Sequence, residues 1–140
     1  MLLSPKLSQT NPRLGRDMAP VALSETDGLP IRESGPWIKR KYHYLERYID
    51  IFTVGMSKKW PLTFVDLFAG PGRCLITETG EEVNGSALIA LKYNFNNYIF
   101  VEEDKSNFDA LQKRCNQTGK SSQIQFFNSD CNKIPAQIVP

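Results

Sequence analysis

The most regular hydrophobic spacing in the chain lies between residues 36 and 57. Apolar side chains recur there at steps of four, three, four, three and four residues: Ile38, Tyr42, Leu45, Ile49, Phe52 and Met56. This spacing predicts one amphipathic helix whose apolar stripe packs on the sheet that follows. Pro36 suits the first turn of a helix, because the N–H that proline lacks would have no partner there. Residues 1–35 are rich in Pro, Ser, Thr and Gly, and we expect them to form a loosely ordered leader.

Three short apolar runs after this helix predict β-strands. Residues 62–67 are almost continuously apolar, which is typical of a parallel strand that is covered on both faces. Residues 98–101 and 124–127 predict the second and third strands, and residues 86–94 and 107–115 predict helices between them. This alternation predicts that residues 36–140 form one α/β domain with a Rossmann-like, doubly wound parallel sheet. The polar residues 75–84 show no periodicity, and we expect a lid or a substrate loop there.

Composition and charge narrow the class of protein only slightly. The chain has 140 residues, which is enough for one domain, and 41% of them are hydrophobic, as in an ordinary globular protein. The 17 basic and 15 acidic residues nearly cancel. However, residues 36–60 carry six basic residues and only two acidic ones: Lys39, Arg40, Lys41, Arg47, Lys58 and Lys59 against Glu46 and Asp50. A solvated helix face is the simpler interpretation, and a surface that binds a polyanion is the alternative.

The cysteines and the hydropathy of the sequence indicate the cellular compartment of the chain. Cys74, Cys115 and Cys131 are far apart and show no metal-ligand spacing, so we expect reduced thiols in a cytoplasmic protein and no metal site. No apolar stretch approaches the ~20 residues that a membrane helix needs, so we expect no membrane contact. Trp37 and Trp60 flank the predicted helix, and we expect both to be packing residues; platforms on which bases stack are the alternative.

Acidic side chains follow each of the three predicted strands. Asp66 and the turn Gly70-Pro71-Gly72 follow the first strand, Glu102-Glu103-Asp104 follows the second, and Asp130 follows the third. Ligands of open parallel sheets bind at the carboxyl ends of the strands. Glycines let a ligand approach the backbone closely, and carboxylates can accept hydrogen bonds from ribose hydroxyls or from the adenine amine. The pattern predicts a nucleoside site. Each acid taken alone could instead cap a helix or a turn, and Asp104 is expected to cap the helix that begins near residue 107.

The type of nucleoside follows from what the glycine turn lacks. A dinucleotide fingerprint would require a third glycine where Leu75 stands, so a nicotinamide-dependent oxidoreductase is disfavoured. A P-loop would require Gly-Lys-Ser/Thr, which is absent. A nucleoside without phosphates therefore fits the turn better.

Several separated blocks of the sequence resemble a known family. DLFAGPG (66–72) resembles the first motif of class I S-adenosylmethionine-dependent methyltransferases, in the Phe-containing form common among enzymes that modify nucleic acids. More narrowly, DGLPIRESGPWIKRKYHYLERYIDIF, KKWPLTFVDLFAGPGR, GSALIAL and FVEED resemble the three-Cys-motif partner (TcmP) family over most of residues 27–132. The resemblance implies a class I methyltransferase-like fold, S-adenosyl-L-methionine as cofactor, a separate three-Cys-motif protein as partner, and a substrate that could be nucleic acid.

The resemblance also implies roles for individual residues. It implies that Asp66, Gly70 and Gly72 line the methionine part of the cofactor, with Phe68 packing against it and Ala69 within the same motif. Glu102 would bind the ribose, with Glu103 as the reserve choice. Asp130 would face the adenine amine, with Cys131 beside the ring.

Catalytic residues are not identified. In class I methyltransferases they commonly follow a fourth strand, and these 140 residues end before one. We therefore expect the amino-terminal part of such a domain, truncated after about three strands, with its first strand as a bare edge and without catalysis of its own. The alternative function is a non-catalytic module of the same fold that binds a partner protein or a polyanion through its first helix.

Overall fold

The computed structural model describes residues 21–134; residues 1–20 of the expected leader and residues 135–140 lie outside the described residues. The described part is a mixed α/β protein with two three-stranded sheets. Its elements are, in order, β1 (Arg32–Ser34), α1 (Trp37–Met56), β2 (Thr63–Asp66), β3 (Arg73–Ile76), β4 (Glu81–Asn84), α2 (Ser86–Ala90), β5 (Asn97–Val101), α3 (Lys105–Asn116) and β6 (Ile124–Phe127). Within residues 21–134, no helix combines the length and the apolar character needed to cross a bilayer.

The three strands predicted from the apolar runs form one all-parallel sheet in the order β2-β5-β6. This confirms the α/β class and the strand positions to within about one residue. Helix α1 agrees with the predicted stripe, since Ile38 and Ile49 are buried and Tyr42, Leu45 and Met56 pack against the core. Helix α2 is shorter than expected and α3 is longer.

The main core lies between one face of the parallel sheet and the three helices. Alternate strand residues point to this side, including Phe64, Tyr98 and Phe100, whose rings pack edge-on or tilted against their neighbours. Helices contribute Ile49 from α1 and Leu111 from α3, among others. Because successive side chains point to opposite faces of a strand, this core buries only every second side chain of each strand.

The opposite face of the parallel sheet is covered differently. The expectation that β2 is covered on both faces was wrong, whereas β2 does lie at the edge of the described sheet, as expected. On this face, Ile99 and Val101 of β5 form a smaller cluster with Ile134, Phe127 and Cys131, to which the three helices contribute no residue. On β2, Val65 stays 41% exposed. The reason is that β2 is an edge strand in the described residues, and all three described helices pack on the Phe64 side.

Residues 75–84 were expected to form an irregular lid or substrate loop, and this was wrong. They contribute to a β-hairpin, β3–β4, that turns at Gly80, whose φ is 78°. Cys74 and Ile76, which are two residues apart on β3, are both buried. The polar residues around them hid this alternating strand pattern in the sequence. Strand β1 pairs in parallel with β3, so residues 32–34, in the stretch expected to be loosely ordered, belong to a sheet. A bridge between Leu23 and Pro30 precedes them.

The two tryptophans do not pack as expected. Trp37 and Trp60 are each 61% exposed. Trp37 is the first residue of α1, about 100° around the helix from the buried Ile38, and its indole lies over Gly35, where a Cβ atom would come within 2.7 Å of Trp37 Nε1.

Candidate functional site

The glycine turn after β2 is a tight bend that packs against the end of β5. Gly70 and Gly72 have φ angles of 68° and 99°, a left-handed region that favours glycine. The N–H of Ala69 donates to the carbonyl of Val101 at 3.0 Å, which extends the parallel ladder one step into the bend. The two strand ends therefore meet here, as the sequence predicted.

Glu102 holds the bend in place. One of its carboxylate oxygens accepts from the N–H of Gly70 at 2.8 Å, and the other accepts from the N–H of Asp104 at 3.0 Å. Glu102 is only 8% exposed. A carboxylate oxygen has more than one lone pair, so each oxygen of Glu102 retains capacity for a further donor. Glu102 therefore fixes the position of the bend and can also accept a hydrogen bond from a ligand at the surface of the bend.

A cavity of about 170 Å³ opens beside this carboxylate. The side chains around it come from the ends of β2, β5 and β6 and from β1: Arg32, Leu67, Phe68, Glu102, Glu103, Ser129, Asp130 and Cys131. Five residues that the sequence proposed for a nucleoside site therefore share one cavity: Phe68, Glu102, Glu103, Asp130 and Cys131. Among the described residues, three carboxylates and one guanidinium line this cavity, so it favours a ligand that carries hydroxyl, amine or cationic groups.

The other predicted site residues lie beside this cavity without lining it. Asp66 accepts from the N–H of Phe68 at 3.1 Å and from the hydroxyl of Ser86, so it ties the start of the bend to α2. Ala69 is buried. A Cβ atom at Gly72 would lie 3.4 Å from Arg114 Cδ, so this glycine faces the packing of α3.

Acidic residues at the other strand ends are positioned by caps. Asp104 accepts from the N–H of Asn107 at 2.9 Å and caps α3, as expected. Asp130 accepts from the N–H of Asn132 at 2.9 Å and caps the short 3-10 turn Cys131–Lys133. The amide of Asn128 donates to the carbonyls of residues 102 and 103 at 2.9 and 3.0 Å, which fastens the end of β6 to the end of β5.

Sequence reasoning missed Arg32. This residue belongs to β1, and its guanidinium lies directly over the glycine bend: a Cβ atom on Gly70 would come within 2.7 Å of Arg32 Nη2. No local signal marks Arg32, because its place at the site depends on the pairing of β1 with the hairpin.

Sequence reasoning also missed the Arg114–Asp27 pair behind the bend. Arg114 is 3% exposed. It binds both carboxylate oxygens of Asp27 at 2.9 Å and donates to the carbonyl of Pro71 at 2.7 Å. Hydrogen bonds from this guanidinium hold the pKa of Asp27 well below its usual range. The pair connects residues 27–30 to the middle of the glycine bend.

A larger cavity of about 430 Å³ lies behind the bend, between the hairpin and the end of α3. It is lined by Arg73, Lys92 and Arg114, among others. Each of these cations has at least one partner: Arg114 binds Asp27, Lys92 Nζ lies 2.8 Å from a carboxylate oxygen of Glu46, and Arg73 donates to an asparagine side chain at 2.6 Å. Among the described residues, Nε of Arg73 is buried without a hydrogen-bond partner and lies 3.7 Å from a carboxylate oxygen of Glu82. We therefore regard the smaller cavity at the strand ends as the candidate site.

Comparison with known proteins adds no identification. No protein-family model matches the chain, and no curated protein is significantly similar to it.

Proposed function

We propose that this chain binds S-adenosyl-L-methionine and belongs to a methyltransferase-like domain of the three-Cys-motif partner type, with a Rossmann-like, doubly wound sheet. The observation that carries the proposal is the single cavity at the ends of three parallel strands, where Glu102, Glu103 and Asp130 meet beside a glycine bend. The sequence blocks that resemble the TcmP family support it independently of the cavity.

The residues around the cavity fit the adenosine part of this cofactor. Glu102 and Glu103 offer acceptors for the two ribose hydroxyls, and Asp130 offers an acceptor for the adenine amine. Phe68 is exposed and provides an apolar surface beside them. A cavity of about 170 Å³ is smaller than the ~300–1,000 Å³ of a typical ligand pocket, so the methionine part requires additional space.

Arg32 is the group that can supply this space. Its guanidinium covers Gly70, and it is the far end of an exposed, flexible side chain. When it moves aside, the backbone of Gly70 becomes accessible, and a guanidinium at the margin of the site is well placed to bind a carboxylate. We propose that Arg32 binds the carboxylate of the methionine part.

The chemistry of the proposed function is methyl transfer. The bound cofactor would supply an activated methyl group on its sulfonium for in-line displacement by a nucleophile of the substrate. The residues of this chain would bind and orient the adenosine and exclude water from the glycine bend. We assign no residue of this chain to proton removal.

Calorimetry with S-adenosylhomocysteine on the whole chain tests the proposal. Glu102→Gln and Glu102→Ala should weaken binding by about ten- to a hundredfold, because a hydrogen bond to a charged group contributes about 1.5–3 kcal/mol. Glu78→Ala, on the exposed turn of the hairpin, is the matched control. Unchanged affinity in both Glu102 variants, or no binding by the wild-type chain, would refute the proposal.

A second ligand separates the role of Arg32 from that of Glu102. Methylthioadenosine contains the adenosine and the sulfur but has no amino-acid carboxylate. Arg32→Ala should therefore weaken binding of S-adenosylhomocysteine and leave binding of methylthioadenosine unchanged, whereas Glu102→Gln should weaken both. Equal losses for both ligands in Arg32→Ala would contradict the assigned contact.

The second candidate function is a non-catalytic module on the same fold that binds a partner protein, such as a three-Cys-motif protein, or a polyanion. Exposure of large side chains on α1 favours it. Gly72→Asp places a charged side chain against the packing of α3, so it should disrupt the bend. Partner binding that survives this substitution would favour the module over the enzyme.

A further inference from the structure

The outward side of α1 carries exposed aromatic rings at helical spacing. Trp37, Tyr44 and Tyr48 are 61%, 63% and 67% exposed. They are seven and four residues apart, so they lie on one side of the helix, and Tyr44 and Tyr48 are about 6 Å apart along its axis. Neighbouring large apolar side chains, Ile51 and Val54, are also exposed. A contiguous exposed surface of this kind usually marks an interaction site.

Positive side chains alternate with these rings. We define the α1 ring face as the residues Trp37, Arg40, Lys41, Tyr44, Arg47 and Tyr48. Arg40 and Arg47 are four positions before and three positions after Tyr44, so both lie next to its ring. Lys41 Nζ lies over the ring of Trp37, 5.9 Å from its centroid, and makes a cation–π contact with it. Among residues 21–134, no carboxylate forms a salt bridge with any of these three cations.

The two acidic residues of α1 lie elsewhere on the helix. Glu46 is turned towards the segment that follows α2, where its carboxylate pairs with Lys92 and accepts from the hydroxyl of Tyr93, both at 2.8 Å. Asp50 is two positions from Tyr48, which places it about 160° away around the helix axis. Asp50 is three positions after Arg47 and is its neighbour on the helix surface, but no salt bridge joins the two among the described residues. The α1 ring face therefore carries three cations that no salt bridge neutralises.

From this arrangement we propose that the α1 ring face binds a single-stranded polynucleotide. Cations would contact its phosphates, and the rings would stack on unpaired bases, which is how proteins bind single strands without reading their sequence. The charge complements a polyanion, and the separate rings favour a single strand over a duplex, whose bases are already stacked. This proposal does not depend on cofactor binding, because the α1 ring face shares no residue with the cavity at the strand ends.

Fluorescence anisotropy tests the proposal with the whole chain and a labelled oligothymidine of about 20 nucleotides, at salt concentrations from about 50 to 200 mM. Arg40→Ala with Arg47→Ala should reduce the slope of log affinity against log salt by about 1.4, which corresponds to two phosphate contacts on a single strand. Tyr44→Ala with Tyr48→Ala should weaken binding by about tenfold per ring without changing that slope.

The control variant removes the same charge from another helix. Lys105→Ala with Lys113→Ala takes two exposed cations from α3 and should leave the affinity nearly unchanged. Circular dichroism melts verify that each variant folds. Glu102→Ala should weaken binding of S-adenosylhomocysteine by about ten- to a hundredfold and leave oligonucleotide binding intact, so the two proposals fail separately.

Four outcomes would overturn the proposal. They are no binding by the wild-type chain at the lowest salt, equal losses in the α3 control, full affinity after removal of both tyrosines, and competition by polyglutamate as strong as by unlabelled oligothymidine. The last result would assign the α1 ring face to an acidic polypeptide.

Discussion

Removal of the Arg114 guanidinium is expected to destabilise the protein more than most single substitutions. Arg114 lies on α3, is 3% exposed and makes five hydrogen bonds with other residues of the described range 21–134. Two go to the carboxylate of Asp27, and the other three go to the carbonyls of Leu29, Pro30 and Pro71. Arg114→Ala removes all five, so the carboxylate of Asp27 keeps the N–H of Leu29 as a donor but loses its ion pair, and the carbonyls of Pro30 and Pro71 lose the guanidinium.

The magnitude follows from burial and charge. Breaking a buried ion pair by removing one partner costs about 3–5 kcal/mol. The side chain of Asp27 is 25% exposed, so water can partly solvate it, and we expect the lower end, about 3 kcal/mol. Domains unfold with only about 5–15 kcal/mol. A loss of this size should lower the midpoint of thermal unfolding by about 10 °C in a chain of this length.

Urea unfolding followed by circular dichroism measures this loss, with Lys113→Ala as the control. Lys113 is the preceding residue on α3 and is exposed, so its substitution should change the unfolding free energy by less than about 0.5 kcal/mol. Combining Arg114→Ala with Asp27→Asn should cost much less than the sum of the two single substitutions, because each already breaks the same pair. If the unfolding free energy of Arg114→Ala lies within about 0.5 kcal/mol of the wild-type value, the Arg114–Asp27 pair does not stabilise the bend as we describe.

Two further predictions concern Asp27 and the thiols. In the folded protein the pKa of Asp27 lies below its unfolded value near 3.9, because Arg114 binds the carboxylate. The Arg114–Asp27 pair therefore contributes stability that is fully present above about pH 3.9. This stability is lost as the pH falls from about 3.9 towards the folded pKa. Between about pH 5 and pH 2 the wild type should therefore lose more unfolding free energy than Asp27→Asn, and parallel curves in urea melts would contradict this. A thiol reagent should modify Cys131 quickly in the native protein, because the other two cysteines are buried and burial raises the pKa of Cys115 to about 12. Cys131→Ser should abolish the fast phase, and S-adenosylhomocysteine should slow it in the wild type; a fast phase that persists in Cys131→Ser would refute the assignment.

The sequence alone determined the elements that depend on local pattern. The stripe from Ile38 to Met56 specified α1, and three apolar runs specified the strands of the parallel sheet. Parallel strands place their carboxyl ends at one edge, so the acids after those strands could be expected to meet. Glu102 and Asp130 do line one cavity. These predictions succeeded because hydrophobic periodicity and strand direction are properties of short segments.

Only the tertiary structure decided which distant segments complete the site. Arg32 reaches the glycine bend because β1 pairs with β3. Arg114 stabilises the bend together with Asp27, which lies 87 positions away in the chain. The exposure of Val65 and of the rings on α1 depends on which faces the helices cover. Each of these features depends on whether two distant segments contact each other, and the hydrophobic pattern of one segment does not predict its contacts with another. The physical reason is that burial and pairing are set by the whole packed assembly, whereas the sequence pattern specifies only which residues favour burial.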